Sequence, residues 1–243
     1  MRSLSIGATG MLAQQLNVEV ISHNIANLNT TAFQRRRPEF QDLLYQNLRR
    51  VGSNSSDAGT IVPAGVQVGL GVRTAAVYRI TEQGNLTLTE NPLDVAINGN
   101  GYFQVDLPNG DTAYTRAGSM QLDADGQIVT VDGFSVDPGL TVPQNAIDIS
   151  INASGEVLVS LDGQTAPQNI GQFQLATFPN EAGLIAVGDN LFLETPASGT
   201  PVSGTPGSTG FGTLQQCGPT RQQGDVTSEA GQDRGALHAD DSA

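Results

Sequence analysis

The sequence predicts a mainly β protein with an N-terminal α-helical segment, the β part forming a sandwich or barrel-like domain. Three observations predict this. An almost uncharged stretch with seven-residue apolar spacing opens the chain. Short runs rich in Val, Ile, Leu and aromatics fill residues 73–216. Turn pairs such as Asn98-Gly99 and Asp125-Gly126 separate those runs.

The helix is expected over 3–26. Leu4, Met11, Val18 and Ile25 recur every seven residues, with Ala8 and Leu12 beside them. Leu16, Val20 and Ile21 lie on other sides of the cylinder. Glu19 is the one formal charge from Ser3 to Gln34. A helix so uncharged needs protein neighbours on several sides. It is too polar for a membrane span, with Gln14, Gln15 and Asn17 at its middle.

Asn24, Asn27, Asn29, Thr30 and Thr31 end the helix, because their side chains bond local backbone groups. A second helix is expected from Pro38, a good first-turn residue, through Phe40, Leu43, Leu44 and Leu48. The run Arg35-Arg36-Arg37 between them reads as a solvated or ion-paired face. Residues 51–72, rich in Gly, Ser and Val, read as an extended arm or linker.

Strands are expected at 77–80, 86–89, 93–97, 102–105, 128–131, 147–151, 157–161 and 172–178. Residues 94–105 echo residues 148–159, both reading as strand, turn, strand. Residues 195–213 have a loop composition, and 217–243 lack any period and read as a disordered tail. The organisation expected is therefore 1–50 helical, 51–72 arm, 73–216 β-rich and 217–243 divergent.

Composition removes several function classes. The 243 residues carry a formal net charge of −13, which argues against a nucleic-acid surface. The charge is lopsided: residues 1–50 sum to +3 and the remainder to −16. Such a basic end and acidic body steer like subunits towards head-to-tail contact. There is no Lys, so catalysis by a lysine amine is excluded. One cysteine, Cys217, allows no internal disulfide. The opening residues lack the apolar run of a secretory signal.

No active site assembles from the sequence. The two histidines, His23 and His238, offer neither a metal cluster nor a well-placed triad base. Gly69-x-Gly71 lacks the third glycine of a dinucleotide loop, and Asp123-Ala124-Asp125-Gly126 fits a hairpin turn better than a calcium loop. No metal or cofactor site is expected. A carbohydrate-binding or hydrolytic β domain is the rival from another class. Aromatics at 5% and the absence of Trp weigh against it.

The segment Ser22-His23-Asn24-Ile25-Ala26-Asn27-Leu28-Asn29-Thr30-Thr31-Ala32-Phe33-Gln34-Arg35 closely resembles the signature of flagellar basal-body rod and hook proteins. Its motif residues are Ser22, Asn24, Ile25, Ala26, Asn27, Asn29, Thr30, Phe33 and Arg35. Ala32 departs from a frequent Gly, and Gln34 from a frequent Lys. Residues 91–103 resemble a second block of that family, and Tyr114-Thr115-Arg116-Ala117-Gly118 with Leu122-Asp123 a third. Gly65 to Val72 resembles the distal rod members more than the proximal rod or hook members.

The resemblance implies an elongated axial subunit that forms a homopolymer, the rigid shaft crossing the periplasm. It implies partners: proximal rod proteins, the hook protein, rod-surrounding ring proteins and the flagellar type III export apparatus. It implies no enzymatic activity and no membrane insertion. Leu4, Met11, Leu12, Val18 and Ile25 would then face neighbouring subunits. The resemblance stops at Gln216, where family members continue into a heptad-spaced helix. That departure predicts that this copy assembles poorly.

Overall fold

The expected helix forms: α1 spans Arg2–Ala26. The computed structural model describes residues 2–49, 64–164 and 166–217. Only Ala13 and Val20 of α1 are fully buried. The side it turns inward rests on β-strands, not on a second helix.

Those strands are β1 (Arg36–Asp42), β2 (Tyr45–Arg49), β3 (Val66–Gly69) and β4 (Val72–Arg79). β1 runs antiparallel to β4, from Arg36 opposite Arg79 to Asp42 opposite Val72, with a bulge at Glu39/Phe40. The Leu43 amide donates to the Gly71 carbonyl and the Leu70 amide to the Leu44 carbonyl. β2 and β3 continue the pairing, from Tyr45 opposite Gly69 to Arg49 opposite Val66. Together they make one two-stranded ribbon. With α1 it forms a stem.

The helix expected from Pro38 to Leu48 is thus overturned. The spacing of Phe40, Leu43, Leu44 and Leu48 fits a helix locally, but a distant segment with Val66, Val68, Val72 and Val77 supplies a pairing partner. Pro38 is tolerated because a two-stranded ribbon is all edge. Residues 64–72 of the expected arm belong to this ribbon, while 51–63 lie outside the described residues.

The head follows, as β5 (Val95–Asn98), β6 (Tyr102–Asp106), β7 (Thr112–Thr115), β8 (Met120–Leu122), β9 (Ile128–Thr130), β10 (Ser135–Val136), β11 (Ala146–Ile151), β12 (Glu156–Leu161), β13 (Gln168–Gln172), β14 (Leu175–Thr177), β15 (Ile185–Gly188), β16 (Leu191–Leu193), β17 (Val202–Gly204) and β18 (Thr213–Gln216). A 3-10 turn, Glu181–Gly183, precedes β15. The main sheet runs β15-β16-β7-β6-β10-β9-β8, with β14 on β6 and β17 on β14. β11, β12 and β13 form a second sheet, and β5 pairs with β18. The sheets do not close into a barrel.

Period-two alternation on β6 explains how the head is filled. Phe103 and Val105 enter the main core with Val95, Ile97, Val157, Val159, Leu175 and Leu214. Tyr102 points the other way, into a second cluster with Tyr114, Ala176, Phe178, Leu184 and Phe192. There the rings of Tyr114 and Phe178 meet edge to face at 4.7 Å.

Four further expectations change. Residues 86–89 form no strand, and Leu88 is exposed. The run 172–178 breaks into β13 and β14, with fully buried Phe173 between them. The echo is real as two strand–turn–strand units, but only β11–β12 is a hairpin, because β5 pairs with β18 instead of β6. Cys217, assigned above to the tail, is buried against the head. Its amide donates to the Asp94 carbonyl at 2.8 Å, and its carbonyl accepts from Thr89 and Glu90 at 3.0 and 3.1 Å. Residues 218–243, the rest of the expected tail, lie outside the described residues.

Candidate functional site: the assembly stem and its motif turn

Along one side of α1 the apolar side chains are uncovered among the described residues. Leu4 is 75% exposed, Met11 70%, Val18 60% and Ile25 67%. Leu12 is also exposed. A seven-residue stripe therefore faces outward along one side of the helix, while the side carrying Ala13 and Val20 meets the ribbon. The ribbon adds Leu44, Tyr45, Leu48 and Val66 to this exposed apolar surface.

The motif turn is built by its polar side chains. Asn24 Nδ2 donates to the Arg36 carbonyl at 2.8 Å, and the Arg36 amide donates to Asn24 Oδ1 at 2.9 Å. One amide side chain thereby pins the start of β1 to the helix end. Asn27 follows the helix end, its backbone and side-chain amides both donating to the His23 carbonyl. The Thr30 amide then donates to Asn27 and the Phe33 amide to Thr30. The Phe33 ring lies 5.5 Å from the His23 imidazole. His23 thus sits in the last turn of α1, against Phe33. Ala32 adopts φ 59, a left-handed conformation that glycine takes without strain. Ser22, Ala26 and Asn29 are exposed on the outside of the turn. Arg35 makes an exposed ion pair with Glu82 at 2.8 Å.

Three motif blocks converge on one junction. The Arg116 guanidinium donates to the carbonyls of Gly101 at 3.2 Å and Gly99 at 2.8 Å, tying the third block to the second. A Cβ on Gly118 would collide with the Val95 carbonyl oxygen, so the approach of these two blocks requires glycine. Asn190 joins the first block to the third. Its Nδ2 donates to the Thr31 carbonyl at 3.1 Å, and its own carbonyl accepts from Thr115 Oγ1 at 2.9 Å.

Asn190 and Gln216 were not singled out from sequence. Asp189 and Asn190 both take positive φ between β15 and β16, so an Asp-Asn pair was a readable hairpin signal. Gln216 gave no such signal. Its side chain donates to the carbonyls of Pro92 and Ile149 and accepts from the Ile151 amide. Its contacts are all distant in sequence.

The site contains little reactive chemistry. Among the described residues no group of three or more His, Cys, Asp or Glu could hold a metal ion. Asp123 to Gly126 forms the β8–β9 hairpin turn, with the Gly126 amide donating to the Asp123 carbonyl. Burial pushes the Tyr102 phenol and the Cys217 thiol up from their ordinary values. An open groove of about 970 Å³ lies between the motif turn and the head, lined in part by Ile21, Ile25, Leu28, Ile80 and Leu86.

Known proteins share this sequence over stem and head. The family model for flagella basal body rod proteins matches residues 4–34, the helix and motif turn. That for the flagellar hook protein FlgE/F/G D1 domain matches residues 96–159 in the head. The flagellar basal-body rod protein FlgG of Caulobacter vibrioides is 62% identical over 216 residues, covering 89% of this chain and 82% of that protein. The chain belongs to the flagellar basal-body rod protein family. The FlgG protein of Buchnera aphidicola subsp. Schizaphis graminum is 50% identical over 214 residues, covering 88% and 82%. The flagellar hook protein FlgE of Treponema pallidum is 41% identical over 130 residues, covering 53% of this chain and 27% of that protein. The rod resemblance thus includes stem and head. This rod-family chain is a structural subunit of the distal rod of the flagellar basal body.

Proposed function

We propose that the subunit polymerises with copies of itself and has no enzymatic activity. The exposed stripe of Leu4, Met11, Val18 and Ile25 carries this reading. Removing these side chains from water needs neighbouring helices, and each contributes roughly 1.5–3 kcal/mol when fully buried. The Asn24 motif turn sets the direction in which the chain leaves the helix. The ribbon, with Leu44, Tyr45 and Leu48 exposed, spans towards an adjacent subunit. The head supplies the outer surface of the shaft.

In this reading the polymer transmits torque, with proximal rod proteins and the hook protein at its ends. Ring proteins surround it, and the flagellar type III apparatus exports its subunits. Nucleic acid and membrane insertion play no part. The net charge of −13 supports the first exclusion. For the second, among the described residues no helix is long and apolar enough to cross a membrane.

Electron microscopy of purified full-length protein at rising concentration tests this. Rods or short stacks of regular repeat are expected, sparse in keeping with the divergence after Gln216. Protein that stays monomeric at every concentration, and fails to restore rods in cells lacking their own rod protein, would overturn it.

A further inference from the structure

Arg79 stands where the stem meets the head. It is the last residue of β4, so its backbone belongs to the ribbon. Its side chain belongs to the head. Nη2 donates to the Glu181 carbonyl at 2.9 Å and to the Leu184 carbonyl at 2.8 Å, reaching both ends of the 3-10 turn. The guanidinium carbon lies 4.4 Å from the centre of the Phe192 ring. Phe192 and Leu184 are buried members of the second aromatic cluster. After Arg79, residues 81–89 continue without helix or strand.

We propose that Arg79 is the positioning residue that fixes the angle between stem and head, and through it the shape of the polymer. The role rests on the rod reading given above. A planar guanidinium held by two carbonyls and a ring face has one orientation. A purely apolar contact at the same place would let the two parts slide. Burial also pulls the Arg79 guanidinium below its ordinary value, as expected for a cation set inside a junction. The Asn190–Thr31 bond is a second tie across the junction, at an exposed site. In a helical polymer every subunit repeats one stem–head angle, so a loosened angle is amplified along the shaft.

The test uses the full-length chain in a Cys217→Ser background, with spin labels on Glu39→Cys in the ribbon and Asp132→Cys in the head. Pulsed electron resonance then reads the distance between stem and head. With Arg79 present, one narrow distribution is expected. Arg79→Met keeps the aliphatic stem and removes the three contacts of the guanidinium; its distribution should become about twofold wider. Arg79→Lys keeps the charge but not the planar group that lies over Phe192, and should fall between. Near-ultraviolet dichroism of the buried tyrosines should be unchanged in both.

An unchanged width in Arg79→Met would overturn the proposal, as would widening that comes with loss of the tyrosine signal, since the head itself would then have loosened. Micrographs of the assembled variants should show bent or irregular shafts in place of straight ones; straight shafts from Arg79→Met would also overturn it. If the width responds as expected but the parent forms no polymer, the angle-fixing role stands and the rod reading fails.

Discussion

Asn24 and Arg36 are joined by two hydrogen bonds, the side chain of one pairing with both backbone groups of the other. Nδ2 donates to the Arg36 carbonyl at 2.8 Å, and Oδ1 accepts from the Arg36 amide at 2.9 Å. Asn24 therefore mimics a strand partner and seeds the ribbon at the helix end. Asn24→Ala removes both bonds and should cost about 2 kcal/mol of stem stability. Asn24→Asp keeps the acceptor, loses the donor and should fall between. Hydrogen exchange of the β1 amides measures this, with protection lost from Arg36 onward.

Ala32 holds φ 59, where a Cβ is disfavoured. Ala32→Gly should stabilise the protein by about 1 kcal/mol. A urea titration should show a higher midpoint with an unchanged slope. A lower midpoint would mean that the turn does not hold this conformation in solution.

Gly118 admits no side chain, because its Cβ would meet the Val95 carbonyl. Gly118→Ala should destabilise the head by about 2 kcal/mol or more, since backbone has to move. Stem helicity by far-ultraviolet dichroism should be retained while the head melts earlier.

Met11 and Val18 are exposed, so Met11→Glu with Val18→Glu should leave the monomer's melting temperature unchanged. The same pair should abolish polymer formation, read by sedimentation. A variant that sediments like its parent would remove the helix stripe from the assembly interface.

Burial raises the Cys217 pKa, with the nearby Asp94 carboxylate adding to the shift. The thiol then stays protonated at neutral pH and should react slowly with a disulfide reagent until the protein is unfolded. Because the folded pKa is the higher one, this contribution to stability is complete below the unfolded value and fades as pH rises through the folded value. A thiol as fast as a free one at neutral pH would place Cys217 outside the head.

Local signals in the sequence determined α1, its apolar stripe, the Asn/Thr turn and the hairpin turns. Each depends on neighbours a few residues apart: heptad spacing, side chains that bond nearby backbone, and turn glycines that take positive φ, as Gly126 does at φ 80. The motif residues were legible for the same reason. Tertiary structure alone decided that residues 36–49 form strands, because their pairing partner is 66–79 and pairing with a distant segment outweighs weak helical spacing. It also decided that β5 pairs with β18, that β6 is buried on both faces, and that Arg79, Asn190 and Gln216 join distant segments. These depend on which surfaces meet after the chain has folded back on itself, and a one-dimensional pattern does not carry that information.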